Sequence, residues 1–411
     1  FNKRFEFYGR QLVPAPLDDT ADPEQTTTVD QMVSDAITVH DQLKAFASAG
    51  YGFEQEGTQH YYYDKLAQLG IVSSQFSSRE PVTLVDQAHL SKYAPYQWNY
   101  SQTLDQIQTA DVDLICSALA RRPARFAGTP DLSTKERKIG LMLQYKANTD
   151  PPRNQILKAG VKRCTGHDLS VVSFTDADVK QIPTMLQSLR QDGVTTVMCM
   201  CYWAQLMMVG MPAASNQGYY PEWFLDAFGG NDVDYGCHTE CPPDQADQII
   251  GLRSTNRSLP LLETPYFRAI KDVDPNYQPT GCGGCSHNAA PGSYFSHDAQ
   301  ALYQNLLLLS AGIQMAGPRL TPKSFEQGLL TTRFPNPGCD GPPVYQGCVG
   351  FSGASHSMLN SFALEYYSNT DIAVQYQTPG TFCYVNHGRR LRIGGMPKTD
   401  AVIKQAGAPC R

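Results

Sequence analysis

Short apolar runs and amphipathic stretches alternate along the chain. KIGLMLQY (138–145) is almost continuously apolar, and DLSVVSFT (168–175), VTTVMCMCYW (194–203) and PEWFLDAFGG (221–230) follow at intervals. Such runs fit strands of a parallel sheet covered on both faces. Between two of them DADVKQIPTMLQSLRQDG (176–193) reads as a helix, with Pro183 predicting a kink. The first third has the same rhythm. RQLVPAPLDD (10–19) reads as a strand ending in an acidic loop, and TTTVDQMVSDAITVHDQL (26–43) as an amphipathic helix. LKAFASAG (43–50) is a short strand stopped by Gly50, YDKLAQLG (63–70) a helix with Gly70 at its C-terminal cap, and GIVSSQ (70–75) a strand. Two helices come late: HDAQALYQNLLLLSAGIQMAG (297–317), stopped by Gly317 and Pro318, and LTPKSFEQGLLTT (320–332), with Thr321 as N-cap and Pro322 at the first helical position. Alternating β and α units call for a doubly wound α/β fold with right-handed crossovers. The polar stretch RPARFAGTPDLSTKE (123–137) separates two such series and suits an interdomain link.

Composition narrows the function. A net charge of −6 over 411 residues argues against a nucleic-acid partner, which would meet a basic face. The most apolar window, VMCMCYWAQLMMVGM (197–211), is broken by Gln205 and followed by Pro212, so it reads as strand, turn and helix, not as a membrane span. The first residue is Phe1, so we expect a processed or trimmed end and no visible signal peptide.

Twelve cysteines stand mostly in loop-like surroundings, which points to disulfides in an oxidising compartment. Cys116, Cys164, Cys237, Cys241, Cys282, Cys285, Cys339, Cys348, Cys383 and Cys410 are the candidates. CHTEC (237–241) and GCGGCSH (281–287) also allow a four-thiolate zinc site from Cys237, Cys241, Cys282 and Cys285, although disulfides account for all twelve alike. Cys199 and Cys201 share a face of one central strand, as buried thiols or as a partner for a neighbouring element. No phosphate loop, HExxH, EF-hand or dinucleotide fingerprint occurs, and no paired carboxylates or Ser/His/Asp set supports catalysis. GFSGA (350–354) resembles a nucleophile elbow but ends in Ala354 and follows no strand. The expectation is a protein that is not an enzyme, with no catalytic residue, cofactor or metal.

Aromatic residues gather where strands end: Tyr51, Tyr93, Tyr96, Trp98, Tyr100, Tyr145, Tyr202 and Trp203. Ligands of open α/β sheets sit beyond the C-terminal ends of strands, and aromatic walls there would hold a small molecule.

FNKRFEFYGRQLVPAPLDDTADPEQ (1–25), DVKQIPTMLQSLRQDGVTTV (178–197), AGPRLTPKSFEQGL (316–329) and FCYVNHGRRLRIGGMP (382–397) follow one another as in a known family. The chain resembles the type I periplasmic solute-binding proteins of ABC transporters, of the branched-chain amino acid class. The resemblance implies two Rossmann-like lobes joined by three crossing segments, with a solute caught by hinge closure. It places residues 1–122 and 256–332 in lobe 1, and 123–255 and 333–411 in lobe 2 with a C-terminal extension. It also implies an extracytoplasmic protein, in the periplasm or at the cell surface with a lipid anchor as one option, that delivers its solute to a transporter permease. A further strand and helix precede the matching segment in the family, and we expect them in the mature protein. The family's ligand contacts match Tyr51, Ser74, Gln75, Tyr96, Trp98, Tyr145, Tyr202, Trp203 and Asn231. Amino-acid binders carry an acid at the last of these positions. The sequence there is AFGGND, which favours an aromatic or larger, less charged solute. The resemblance also implies disulfide staples: Cys339 with Cys348, Cys383 with Cys410, and Cys282 and Cys285 with Cys237 and Cys241. A ligand-binding sensor or receptor of the same fold, told apart by a membrane anchor in the full gene product, or a structural surface module of that fold is the second reading. A Cys/His zinc or thiol enzyme is the third.

Overall fold

The computed structural model describes residues 1–17, 28–49, 60–75, 86–99, 102–145, 153–201, 203–226, 234–254, 265–277, 295–331, 355–357, 361–373, 377–405 and 410. Three short strands, β1 (Ala47–Ala49), β2 (Val72–Gln75) and β3 (Gln97–Asn99), form a parallel sheet in that order. The helix Val29–Asp41 begins with a capping box in which Thr28 and Gln31 satisfy each other's backbone amides. Its buried face, Met32, Ala36 and Val39, meets Tyr62, Tyr63 and Leu66 of the helix His60–Gln68. The sheet's other cover comes from far along the chain. Val72 and Trp98 pack with Leu308 and Leu309 of the helix Phe295–Met315 and with Phe325 and Leu329 of the helix Pro322–Thr331. These two helices touch closely because Gly312 faces the Phe325 ring; a Cβ there would stand 2.2 Å from it.

The larger sheet has seven strands in the order β10-β9-β8-β7-β6-β4-β5. They are β4 (Ile139–Tyr145), β5 (Ser170–Thr175), β6 (Thr196–Met200), β7 (Glu222–Leu225), β8 (Ile249–Arg253), β9 (Ala363–Ile372) and β10 (Pro379–Tyr384). β4 to β8 run parallel, while β9 is antiparallel to both β8 and β10. Successive residues enter opposite cores: Leu141, Met198, Phe224 and Ile250 on one face, Met142, Val197, Trp223 and Ile249 on the other. That two-sided burial explains the unbroken apolar runs.

A buried ion network ties the C-terminal segment to this sheet. Arg137 makes a two-pronged contact with Glu222, 2.8 Å on each prong, and reaches Asp400 at 2.9 Å. Burial alone would lower the Arg137 pKa, yet the two carboxylates hold it above its ordinary value.

Some sequence expectations change. The strand expected over 10–19 does not form in its described part, 10–17, because Pro14 and Pro16 have no amide to give a sheet ladder. Pro183 does not kink a helix; it stands in the first turn of the helix Ile182–Gln191, which a 3-10 turn (Asp176–Gln181) leads into. The stretch 123–137 is not a link between sheets. Its Ala124, Ala127 and Leu132 pack on the larger sheet. The passage between cores comes earlier, since Trp98 belongs to the smaller core and Leu104 to the larger. The boundary at 122 therefore falls inside the larger half. A second passage leaves β8 after Ser254 and precedes the helix Pro265–Lys271, and a third joins His356 to Phe362.

The cysteines also depart from their expected partners. Cys237 is bonded to Cys241, one helical turn away, so neither is available to Cys282 or Cys285, nor to the four-thiolate zinc site. Cys199 is bonded to Cys201 and is neither a free thiol nor a link to another element. Cys116 joins Cys164, and Cys383 joins Cys410. Gly160 lets the first of these form between close helices, because a Cβ there would stand 2.4 Å from Val112. Cys282, Cys285, Cys339 and Cys348 lie outside the described residues.

Candidate functional site

In the larger sheet the chain starts at β4, steps to β5 on one side and then returns to β6 on the other. The switch point therefore lies between β4 and β6, where open α/β sheets hold their ligands beyond the strand ends. Gln144 and Tyr145 end β4, buried and half-buried in turn. Beyond β6 comes Trp203, which is buried and whose indole N–H has no hydrogen-bond partner among the described residues. β7 is followed directly by Asp226, a carboxylate buried at the same edge.

In the smaller sheet Ser74 and Gln75 end β2. The Ser74 hydroxyl donates to Asn305 Oδ1 at 2.5 Å, which fixes it against the helix Phe295–Met315. Tyr96 is half-buried just before β3 and packs against the smaller core. The two sheets meet at loops that follow their strands' C-terminal ends. Asp86, beyond β2, pairs with Arg153, beyond β4, at 2.7 Å. The Gln108 side chain also donates to the Arg153 carbonyl, so Arg153 is held through its side chain and its backbone.

Trp98 takes a different role from the one its sequence position suggested. It is fully buried, its indole N–H donates to the Pro95 carbonyl at 2.9 Å, and Phe325 meets it edge-on at 5.6 Å. His356 stacks on it, with centroids 4.1 Å apart and planes at 10°. Trp98 is thus part of the passage between the halves and not a cleft wall. His356 Nδ1 lies 3.0 Å from the Gln97 carbonyl, and Nε2 lies 3.1 Å from Glu326 Oε1. Burial holds the imidazole pKa below its ordinary value, with that carbonyl and carboxylate opposing. The His356 carbonyl accepts from the Asn99 amide at 2.8 Å, which makes residues 97–99 and 356–357 run side by side.

Of the nine sequence-predicted contact residues, Ser74, Gln75, Tyr96, Tyr145 and Trp203 stand at or near strand ends, with Trp203 also packed in the larger core, and Trp98 is in the smaller core. Tyr51, Tyr202 and Asn231 lie outside the described residues. Sequence reasoning missed Asp226, and its signal was the acid that directly follows the apolar run EWFL. Asp371, Cys383 and Cys410 bring three potential metal ligands together, but the two sulfurs are bonded to each other.

No protein-family model matches the sequence, and no curated protein matches it. Solved structures do. A solute-binding protein of an ABC transporter from Rhodopseudomonas palustris, in complex with 4-hydroxybenzoate, is 12% identical over 92% of this chain and 86% of that chain, with a TM-score of 0.56. Another from the HaA2 strain of that organism, with p-hydroxybenzoic acid, is 10% identical over 89% and 85%, with a TM-score of 0.54. A branched-chain amino acid ABC transporter protein from Thermus thermophilus, with bound valine, is 13% identical over 91% and 84%, with a TM-score of 0.51. The chain has the fold of the type I periplasmic solute-binding proteins.

Proposed function

We propose that this protein is an extracytoplasmic solute-binding protein, not an enzyme, that closes its two halves around a small molecule and hands it to the permease of an ABC importer. The observation that carries this reading is the meeting of the two sheets at their ligand-binding ends, where Asp86 beyond β2 pairs with Arg153 beyond β4. Short passages near Trp98–Leu104 and His356–Phe362 give the halves a hinge at which to move. Among the described residues no helix is long and apolar enough to cross a membrane, which agrees with a protein that works beside a membrane partner.

The solute we propose is an aromatic carboxylic acid. Tyr145 and Trp203 offer rings, Ser74 offers a polar group, and Tyr51, Gln75, Tyr202 and Asn231 complete the set by sequence position. Two of the structural neighbours carry hydroxybenzoates. Asp226 at the same edge would suit a phenolic hydroxyl as a hydrogen-bond donor.

A thermal-shift panel under non-reducing conditions tests this directly, with 4-hydroxybenzoate, valine, sugars, polyamines and nucleosides as probes. A ligand at a hundredfold over its Kd adds about 2.7 kcal/mol to the folded state. A shift with 4-hydroxybenzoate, lost in Trp203→Ala, is the expected result. A shift with valine alone would replace the aromatic solute by an amino acid. Silence across the panel would sink the solute-binding reading.

A further inference from the structure

The C-terminal segment beyond β10 does more than end the chain. Phe362 and Leu391 exchange two backbone hydrogen bonds, 2.8 and 2.7 Å, so residues 390–391 lie alongside the point where the third passage enters the larger half. This places the Arg390 side chain, itself buried, between the ends of two passages. Its guanidinium donates to the carbonyls of Ser254 and Ser361, to the Ser361 hydroxyl at 3.2 Å and to the Arg253 carbonyl at 3.4 Å. Ser254 is where the chain leaves β8 for the smaller half, and Ser361 is where it returns.

We propose that Arg390 is the positioning residue of the hinge: one planar cation fastens the root of the second passage to the root of the third, so that both swing as one. The proposal rests on the reading that the halves close around a solute. A guanidinium suits the task because its donors are fixed in a plane and stay charged at every working pH, whereas a lysine would supply one mobile point charge. The segment that presents it is itself anchored, by the Cys383–Cys410 disulfide and by Asp400 on Arg137. Closure would then be a rotation of one body about paired strands instead of an independent flexing of each.

The test uses the whole protein, first without ligand. Amide hydrogen exchange is compared in the natural protein, Arg390→Gln, Arg390→Lys and Ser361→Ala, together with the distance distribution between labels on the exposed residues Ser34 and Lys158, one on each half. In Arg390→Gln, exchange at Arg253–Ser254 and Ser361–Phe362 should rise about tenfold with β4 and β6 unchanged, and the distance distribution should broaden. Arg390→Lys should fall between the two, and Ser361→Ala should be the mildest. Unchanged exchange at the two roots, or a rise spread equally through β4 and β6 with no broadening, would overturn the proposal. Adding 4-hydroxybenzoate then separates the two readings. If it leaves the natural protein's distances unchanged, the aromatic-solute reading fails, while the ligand-free comparison still decides the role of Arg390.

Discussion

The two halves solve the same packing problem by different means. The seven-stranded sheet buries both faces against residues that lie mostly within the run 104–254, and adds two antiparallel strands and a tethered C-terminal segment. The three-stranded sheet has strands of three or four residues, and one of its two cores forms only where Val72 and Trp98 meet helices more than two hundred residues later. The four disulfides among the described residues all lie in the larger half. One half is thus a stiff platform and the other is held together by non-local contacts, so the smaller half is the one whose order should respond to its surroundings.

The most disruptive way to break this comparison is to open each core in turn. Glu222→Ala would leave Arg137 buried without its main partner and should cost about 3–5 kcal/mol. Phe325→Ala would remove a fully buried ring from the smaller core and should cost about 3–5 kcal/mol. Calorimetry should show the first variant losing the larger half's transition and the second losing the smaller half's. A single shared transition in both would mean that the halves do not differ in the way described.

Loop length ranks the disulfides next. Removing Cys116–Cys164, which spans 48 residues, should cost about 4 kcal/mol by the loop-entropy relation. Removing Cys237–Cys241, which spans only 4, should cost about 2 kcal/mol by the same relation. Chemical unfolding of the two double-alanine variants checks the order.

Glu365 gives a pH-dependent contrast. Full burial pushes its carboxyl up to about 7, with Arg253 and Arg390 opposing. Because the folded state binds this proton more tightly than the unfolded chain, the stabilisation is complete below about 4.5 and is lost as pH rises to about 7. That window corresponds to roughly 3 kcal/mol at 1.36 kcal/mol per unit. Urea unfolding of Glu365→Gln should lack this slope, and an unchanged slope would refute the assignment. The smallest effect sits at a helix cap: Thr28→Ala should cost about 1 kcal/mol, with the loss confined to the smaller half.

Four strands of the larger sheet, β4 to β7, were plain in the sequence as apolar runs, most clearly where burial on two faces keeps the run nearly unbroken, whereas β8 and the antiparallel pair β9 and β10 were not legible in it. The late helices were equally plain, since Thr321, Pro322 and Gly317 mark their ends by local chemistry. The passages were not, because a boundary between cores depends on which distant residues Trp98 and Leu104 touch. Trp98 has the same local context as a cleft aromatic, and only the His356 ring on its face reveals its place. The pairing of Cys237 with Cys241 needed the helix to be known, since only a helical turn brings their Cα atoms to 4.5 Å. In the cleft, strand-end positions were legible from order alone, while Asp226 went unnoticed because the family pattern pointed further along the loop.

Trp98 and Phe325 also set a timetable. At a synthesis rate of about 5–20 residues per second, the ring that completes the smaller core emerges on the order of ten to forty seconds after the tryptophan it covers. Through that interval β1, β2 and β3 lack the two late helices Phe295–Met315 and Pro322–Thr331 and the His356 segment beside them, while β4 to β8 are already made. The part of the protein that begins first is therefore finished last, and a newly made chain carries an open sheet edge for most of its birth.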